Sequence, residues 1–338
     1  MADGDDAAPR RWREQGSSPP RHAPRKTYAA LDLGTNNCRL LIARPDGDGF
    51  IVVDAFSRIV RLGEGLAASG RISDAAIERA IAALSICADK LMKRGVHVSR
   101  AVATEACRRA ENGPEFVARV YRETGILLDV IPPGEEARLA VAGCHALLEA
   151  GNGPALIFDI GGGSTELVHV ETDGDSLRIG DWLSIPWGVV SLSEAEPHAM
   201  ADRDERLAAY SRMRARAAES MARFPTADAC GTPRLLGTSG TVTTLASVHL
   251  GLTSYRRQAV DGLRVAATDL RAISQRLAAQ SHAERAAMPC IGPERADLVV
   301  AGCAILEAIL DLWPAPTVGV ADRGIREGIL RGLMDGSH

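Results

Sequence analysis

The stretch Leu31-Asp32-Leu33-Gly34-Thr35-Asn36-Asn37-Cys38-Arg39-Leu40 is echoed by Phe158-Asp159-Ile160-Gly161-Gly162-Gly163-Ser164-Thr165-Glu166-Leu167, so that Asp32 aligns with Asp159 and Leu40 with Leu167. Each copy ends an apolar run with an Asp, passes through small residues and returns on a second apolar run, the pattern of a strand, a tight turn and a second strand. The echo continues without a gap to Asp46-Gly47-Asp48 and Asp173-Gly174-Asp175, each a turn signal between apolar segments. One strand-turn-strand design is therefore used twice, which predicts two α/β lobes.

Small residues after a buried strand let backbone N–H groups face an anion. A third such loop follows Arg234-Leu235-Leu236 as Gly237-Thr238-Ser239-Gly240-Thr241 and runs into a helical pattern, where unpaired N–H groups sit at the positive end of a helix dipole. A Gly-Gly-Gly run alone is more often only a turn. Three loops that each follow an apolar strand point to a phosphate chain held in a cleft between the lobes. The candidate contacts are Gly34, Thr35, Asn36, Asn37, Gly161, Gly162, Gly163, Ser164, Thr165, Gly237, Thr238, Ser239, Gly240 and Thr241, with Arg39 and Arg108 as guanidinium clamps.

Three acids stand at or near the strand ends, Asp32, Asp159 and Glu166. A carboxylate near a sheet interior costs several kcal/mol (about 3 or more) unless paired or metal-bound. One or two carboxylates with phosphoryl oxygens and waters suit a magnesium ion. Glu135 and Glu136 open a further helix, where they complement its dipole. Either one also fits a general base that deprotonates an in-line water. Neither a G-x-x-x-x-G-K-[ST] loop nor a G-x-G-x-x-G spacing occurs, and Ser239 lacks the G-x-S-x-G context, which disfavours P-loop, Rossmann and serine-hydrolase readings.

Composition narrows the class. The chain has 338 residues, 46% hydrophobic and 24% charged, with room for two cores. A net charge of -4 and only 4% aromatic residues argue against a nucleic-acid binder. No uninterrupted apolar run is long enough to span a bilayer. Seven scattered Cys without a C-x-x-C fit a reducing cytoplasm better than a disulfide framework or a zinc site. Residues 1–26, rich in Arg, Pro, Ser and Asp, read as a disordered tail. Further along, Ser73-Asp74 caps a helix carrying Ile77, Ile81, Leu84, Ala88 and Leu91. Strands are expected at Ser99–Thr104, Ile126–Ile131, Arg234–Leu236 and Thr317–Val320. Helices are expected at Pro114–Glu123, Gly134–Glu149, Asp202–Arg223 and Arg323–Leu333, with another carrying Leu298, Ala301, Ile305 and Ile309.

In order along the chain, Leu-Asp-Leu-Gly-Thr-Asn-Asn at 31–37, Ala-Thr-Glu-Ala-Cys-Arg at 103–108, Glu-Glu-Ala-Arg-Leu at 135–139, Asp-Ile-Gly-Gly-Gly-Ser-Thr-Glu at 159–166, Gly-Thr-Ser-Gly-Thr at 237–241 and Asp-Arg-Gly-Ile-Arg-Glu-Gly at 322–328 resemble the exopolyphosphatase / guanosine pentaphosphate phosphatase (Ppx/GppA) family. The resemblance implies two ribonuclease-H-like domains of the actin-like, sugar-kinase-like ATPase fold, at 27–139 and 140–338, around a cleft. It implies hydrolysis of terminal phosphate from inorganic polyphosphate or guanosine pentaphosphate in the cytoplasm. Mg2+ and a monovalent activator would serve as cofactors, in a homodimer with no nucleic-acid or membrane partner. Under it, Glu136 is the catalytic base, Asp159 and Glu166 serve the attacking water and the metal, and Asp32 stands opposite as a further metal ligand. Pro132-Pro133-Gly134 departs from the Ser-Gly that the family carries there, which leaves the choice between Glu135 and Glu136 open. The end at His338 reads as a short form without the helical HD-type domain of long members. A kinase of the same fold and a nucleotide-sensing or actin-like module are the alternatives.

Overall fold

The computed structural model describes residues 26–336 apart from 48, 149–152, 174–175, 199–201 and 226–232. All but Lys26 of the expected tail lies outside the described residues, as does most of the second Asp-Gly-Asp turn.

The first sheet contains β1 (Tyr28–Leu33), β2 (Asn37–Asp46), β3 (Gly49–Ile59), β4 (Val98–Ala103) and β5 (Leu128–Val130), in the order β3-β2-β1-β4-β5. The second contains β6 (Ala155–Ile160), β7 (Thr165–Asp173), β8 (Ser176–Ile185), β9 (Arg234–Thr238), β10 (Arg264–Ala266) and β11 (Thr317–Ala321), in the order β10-β11-β9-β6-β7-β8. Read from its other edge, β8-β7-β6-β9-β11 repeats the first sheet, and β10 adds an antiparallel edge strand. In both sheets the first three strands form an antiparallel meander, and the next two join in parallel across helical connections. These are two mixed-sheet α/β domains with the strand order of the ribonuclease-H-like fold, paired as in actin-like ATPases.

The duplication holds at the level of single bonds. Gly34 N donates to Asn37 O at 2.9 Å, and Gly161 N donates to Ser164 O at 3.0 Å, so both turns close in the same way. Asp32 pairs across its hairpin with Arg39, and Asp159 pairs with Glu166. One equivalent position thus carries a cation in the first lobe and an acid in the second.

Parallel strands put their ends on one side, and apolar helices cover the faces. Ser73 caps the helix Asp74–Lys93 by accepting from Ala76 N, and that helix buries Ile77, Ile81 and Leu84 beside Leu31 and Leu33. In the second lobe, helices Arg203–Met221, Ala267–Ala279 and Val299–Leu312 enclose a core around Phe158 and Trp313. Two helices cross between the lobes. Pro133–Cys144 lays Ala137, Val141 and Cys144 against the second sheet, whereas the last helix, Ile325–Asp335, returns to put Ile329, Leu330 and Leu333 on the first. They cross at glycine: a Cβ on Gly328 would stand 2.0 Å from Leu139 O, and one on Gly143 2.0 Å from Gly324 O. Bare backbone at both positions is what permits this approach. Among the described residues no helix is long and apolar enough to cross a membrane.

Candidate active site

Both duplicated turns and the third loop open into one cleft. Its walls include Asp32, Gly34, Thr35, Asn36, Asn37 and Arg39 from the first lobe, and Asp159, Gly161, Gly162, Gly163, Ser164, Glu166, Ser239, Gly240 and Thr241 from the second, with Glu136 between them. The lobes nearly touch there: a Cβ on Gly162 would stand 2.9 Å from Thr35 Cβ and 3.0 Å from Asn36 N. Gly161 and Gly162 are held from behind, because their carbonyls accept from Val189 N and Val190 N at 2.9 and 2.8 Å.

The third loop leads into the helix Gly240–His249, whose N-terminus faces the cleft. Ser239 caps it by accepting from Thr241 N, at a φ of 120° that non-glycine residues rarely adopt. A strained residue at the mouth of a cleft is a functional signal.

Glu135 and Glu136 take different faces of their helix, about 100° apart. Glu135 points outward to Arg100 Nη1 at 3.0 Å and to Arg138 Nε at 2.7 Å, and hydrogen bonding by Arg138 holds its carboxyl below the ordinary value. Glu136 is only 7% exposed and lines the cleft. Burial pushes its pKa up to about 7, against the opposing pull of Arg108, whose Nη1 donates to its Oε2 at 2.8 Å. Burial wins because one hydrogen-bonded cation does not replace the hydration that a carboxylate loses. The geometry thus separates two residues that the sequence leaves equivalent.

The strand-end acids share this environment. Burial raises Asp32, and raises Asp159 to about 6, while Arg39 draws both back. Glu166, 2% exposed, is pushed well above its ordinary value by burial and by Glu136 and Asp159, although Ser184 Oγ donates to its Oε1 at 2.9 Å. The surroundings thus disfavour the ionised form of all four acids, and Asp32, Asp159 and Glu166 are the side chains here that could hold a cation.

Several expected contacts lie elsewhere. Arg108 is not on the cleft wall; it is braced behind Glu136 by Glu105 Oε2 at 2.8 Å and by Ile131 O at 2.7 Å. Thr165 is fully buried and donates to Trp187 O, and Thr238 donates to Arg323 O. Gly237 is core, since a Cβ there would meet Phe158 at 2.5 Å. Conversely, Thr104, Thr244 and Arg295 line the cleft, with Arg295 Nη1 donating to Thr244 Oγ1 at 3.1 Å. Arg326 lies behind Asp32; burial pulls its pKa down, with Arg39 and Asp32 in electrostatic reach. Arg295 follows Pro293 with no signal that sequence reading recognises, whereas Arg326 stands inside the 322–328 motif.

Paired ribonuclease-H-like lobes with a cleft of backbone donors, guanidinium groups and buried acids define a phosphoanhydride hydrolase of the actin-like fold. The pattern of the Ppx/GppA phosphatase family matches residues 41–337, and the chain belongs to that family. It is 33% identical over 291 residues to exopolyphosphatase 2 of Mycobacterium tuberculosis, covering 83% of this chain and 89% of that protein. It is 31% identical over 320 residues to a guanosine-5'-triphosphate,3'-diphosphate pyrophosphatase of Aeromonas salmonicida, covering 92% of this chain and 60% of that one. An exopolyphosphatase of Cytophaga hutchinsonii superposes with a TM-score of 0.83 at 25% identity, over 93% of this chain and 99% of that one.

Proposed function

We propose that the chain removes the terminal phosphate of inorganic polyphosphate, with guanosine pentaphosphate as a second substrate of the same cleft. The observation that carries this is Glu136, a buried carboxylate on the cleft wall whose pKa, at about 7, suits a general base at neutral pH. The second substrate is favoured by the likeness to the Aeromonas pyrophosphatase over 92% of this chain.

The terminal phosphate sits against the N–H groups of Gly162–Ser164 and Thr35–Asn37, with Arg39 and Arg295 offsetting its charge. Glu136 orients a water in line with the terminal phosphorus and takes its proton. The water oxygen bonds to phosphorus, the bond to the bridging oxygen breaks, and the electron pair leaves with the shortened chain. Arg108 holds the Glu136 carboxylate toward the cleft.

Among the described residues no three of His, Cys, Asp and Glu are placed to hold a metal by themselves. Asp32, Asp159 and Glu166 nevertheless fit Mg2+ bound jointly with phosphate oxygens, because magnesium takes one or two carboxylates and keeps the rest of its shell for water and phosphate. When bound, Mg2+ offsets negative charge on the phosphoryl oxygens.

The test is phosphate release from polyphosphate and from guanosine pentaphosphate, side by side, with Mg2+ or EDTA. Release that requires Mg2+ and falls by about 10²- to 10⁴-fold in Glu136→Gln is expected. Turnover undiminished in that variant removes Glu136 as the base. No release from either substrate overturns the proposal.

A further inference from the structure

The segment Val60–Gly65 links the first phosphate-facing loop to the second lobe. Val60 N and Arg61 N both donate to Asn36 O, at 2.8 and 3.0 Å, and Gly63 N donates to Thr35 O at 2.9 Å. Arg79 fixes the segment from its own lobe, through Val60 O at 2.9 Å and Glu64 Oε2 at 2.7 Å. From this base Arg61 reaches to the second lobe beside the cleft, with Nη1 donating to Asp297 Oδ2 at 3.2 Å and Nη2 to Glu294 O at 3.3 Å. Gly65 N makes a second crossing, to Glu194 Oε1 at 2.8 Å.

Both landing points carry cleft elements. Glu294 and Asp297 flank Arg295, and Leu298 next to them lines the cleft. Glu194 belongs to the helix Val189–Ala195, whose first N–H groups hold the carbonyls of Gly161 and Gly162. Ser193 Oγ donates to Asp297 O at 3.2 Å and ties the two landing points together. Arg61 also adopts a φ of 47°, in the left-handed region that favours glycine. Glycine would serve the turn itself better, so the guanidinium is what this position has to offer.

We infer that Arg61 is a positioning residue: it latches the lobes at the spacing where the Thr35–Asn36 loop, the Gly161–Gly163 loop and Arg295 reach one phosphate chain together. The inference rests on the phosphatase reading of the cleft. Both partners of the pair with Asp297 are about a third exposed, with side-chain values of 33% and 29%, so the pair adds little to stability and its loss reads out in substrate capture.

Arg61→Gly tests this without endangering the fold, because glycine accepts the local backbone. The expected result is a KM for polyphosphate raised about 3- to 10-fold, a kcat within about twofold, and a melting temperature little changed, because the pair is partly exposed and glycine relieves the left-handed backbone. Arg61→Lys keeps the charge and recovers part of the KM. Unchanged KM in Arg61→Gly, or equal loss of kcat and melting temperature, overturns the inference. Small-angle X-ray scattering without substrate reads the lobes independently of turnover, and a larger radius of gyration is expected for Arg61→Gly than for wild type. That difference in a protein that releases no phosphate refutes the reaction and not the latch. Identical radii refute the latch.

Discussion

Arg108 Nη1 lies 2.8 Å from Glu136 Oε2, and among the described residues it is the one cation hydrogen-bonded to an acid of the cleft wall. Asp32 has only the fields of Arg39 and Arg326 to draw it back, Asp159 that of Arg39, and Glu166 has serine hydroxyls. The base candidate is thus held by a charge-assisted bond whose other donors are occupied by Glu105 and Ile131 O. Arg108 both aims the carboxylate and limits how far burial raises its pKa.

Replacing Arg108 by Gln removes the lowering influence and leaves burial unopposed, so the Glu136 pKa moves up from about 7. A general base acts when ionised, and the ascending limb of kcat against pH shifts to higher pH. At pH 7 turnover falls by about 10- to 100-fold, with partial recovery by pH 9. A full pH profile checks this; an unmoved limb with a uniformly lower plateau contradicts it.

Glu136 also gives the stability of the protein a pH dependence. Its folded pKa, about 7, is raised above the ordinary value of 4.5, so the native state binds this proton more tightly than the unfolded chain. The contribution is fully present below pH 4.5 and is lost as pH rises through about 7. Glu136→Gln is neutral at every pH and escapes that loss. Relative to wild type, the variant gains stability between pH 5 and pH 8, by up to about 3 kcal/mol at 1.36 kcal/mol per pH unit. Urea titrations at both pH values, without Mg2+, measure the difference, and a gap independent of pH refutes it.

Much of this architecture is legible in the amino-acid sequence, for a physical reason. A strand that ends in Asp and turns through small residues has a local signature, and finding it twice fixes which strands sit at the centres of the two sheets. The acids of the cleft are adjacent to those turns and are found with them. What depends on packing between distant segments is not legible. Glu135 and Glu136 differ by one helical step, and only the docking of their helix on the second sheet decides which faces the cleft. Arg108 reads as a phosphate clamp until Glu136 is placed beside it. The final helix follows the second lobe in sequence, yet its apolar face matches Ala30, Leu41 and Val102 of the first.

The glycine crossing of the two exchanged helices is a point where propensity and packing disagree. In an exposed helix Gly328→Ala stabilises by about 1 kcal/mol. Here its Cβ would lie 2.0 Å from the backbone oxygen of Leu139, which cannot rotate away as a side chain does. Overpacking of this kind costs about 1–3 kcal/mol, and a backbone clash lies at the upper end. Net destabilisation of about 1–2 kcal/mol is expected once the propensity gain is subtracted. Because the displaced helix carries Glu136, kcat falls with it. Equilibrium unfolding and kcat of Gly328→Ala decide the matter, and a more stable variant would show that the helices separate freely.

Ser239 combines a cap with strain, and two substitutions separate them. Its hydroxyl accepts from Thr241 N at 3.2 Å at the start of the helix that faces the cleft, while its φ of 120° suits glycine. Ser239→Ala keeps the unfavourable backbone and loses the cap, a loss of about 1 kcal/mol. Ser239→Gly also loses the hydroxyl but relieves the backbone, and glycine is itself an acceptable N-cap within a few tenths of a kcal/mol. Ser239→Gly is therefore expected to match or exceed wild type in urea unfolding, and Ser239→Ala to fall below both. If strain is retained at this position because it aims the Gly240 N–H group into the cleft, the relaxed glycine variant binds tripolyphosphate more weakly than the alanine variant despite its greater stability. Calorimetric titration of the two proteins compares them directly, and parallel ranks for stability and binding would assign the strain no part in the site.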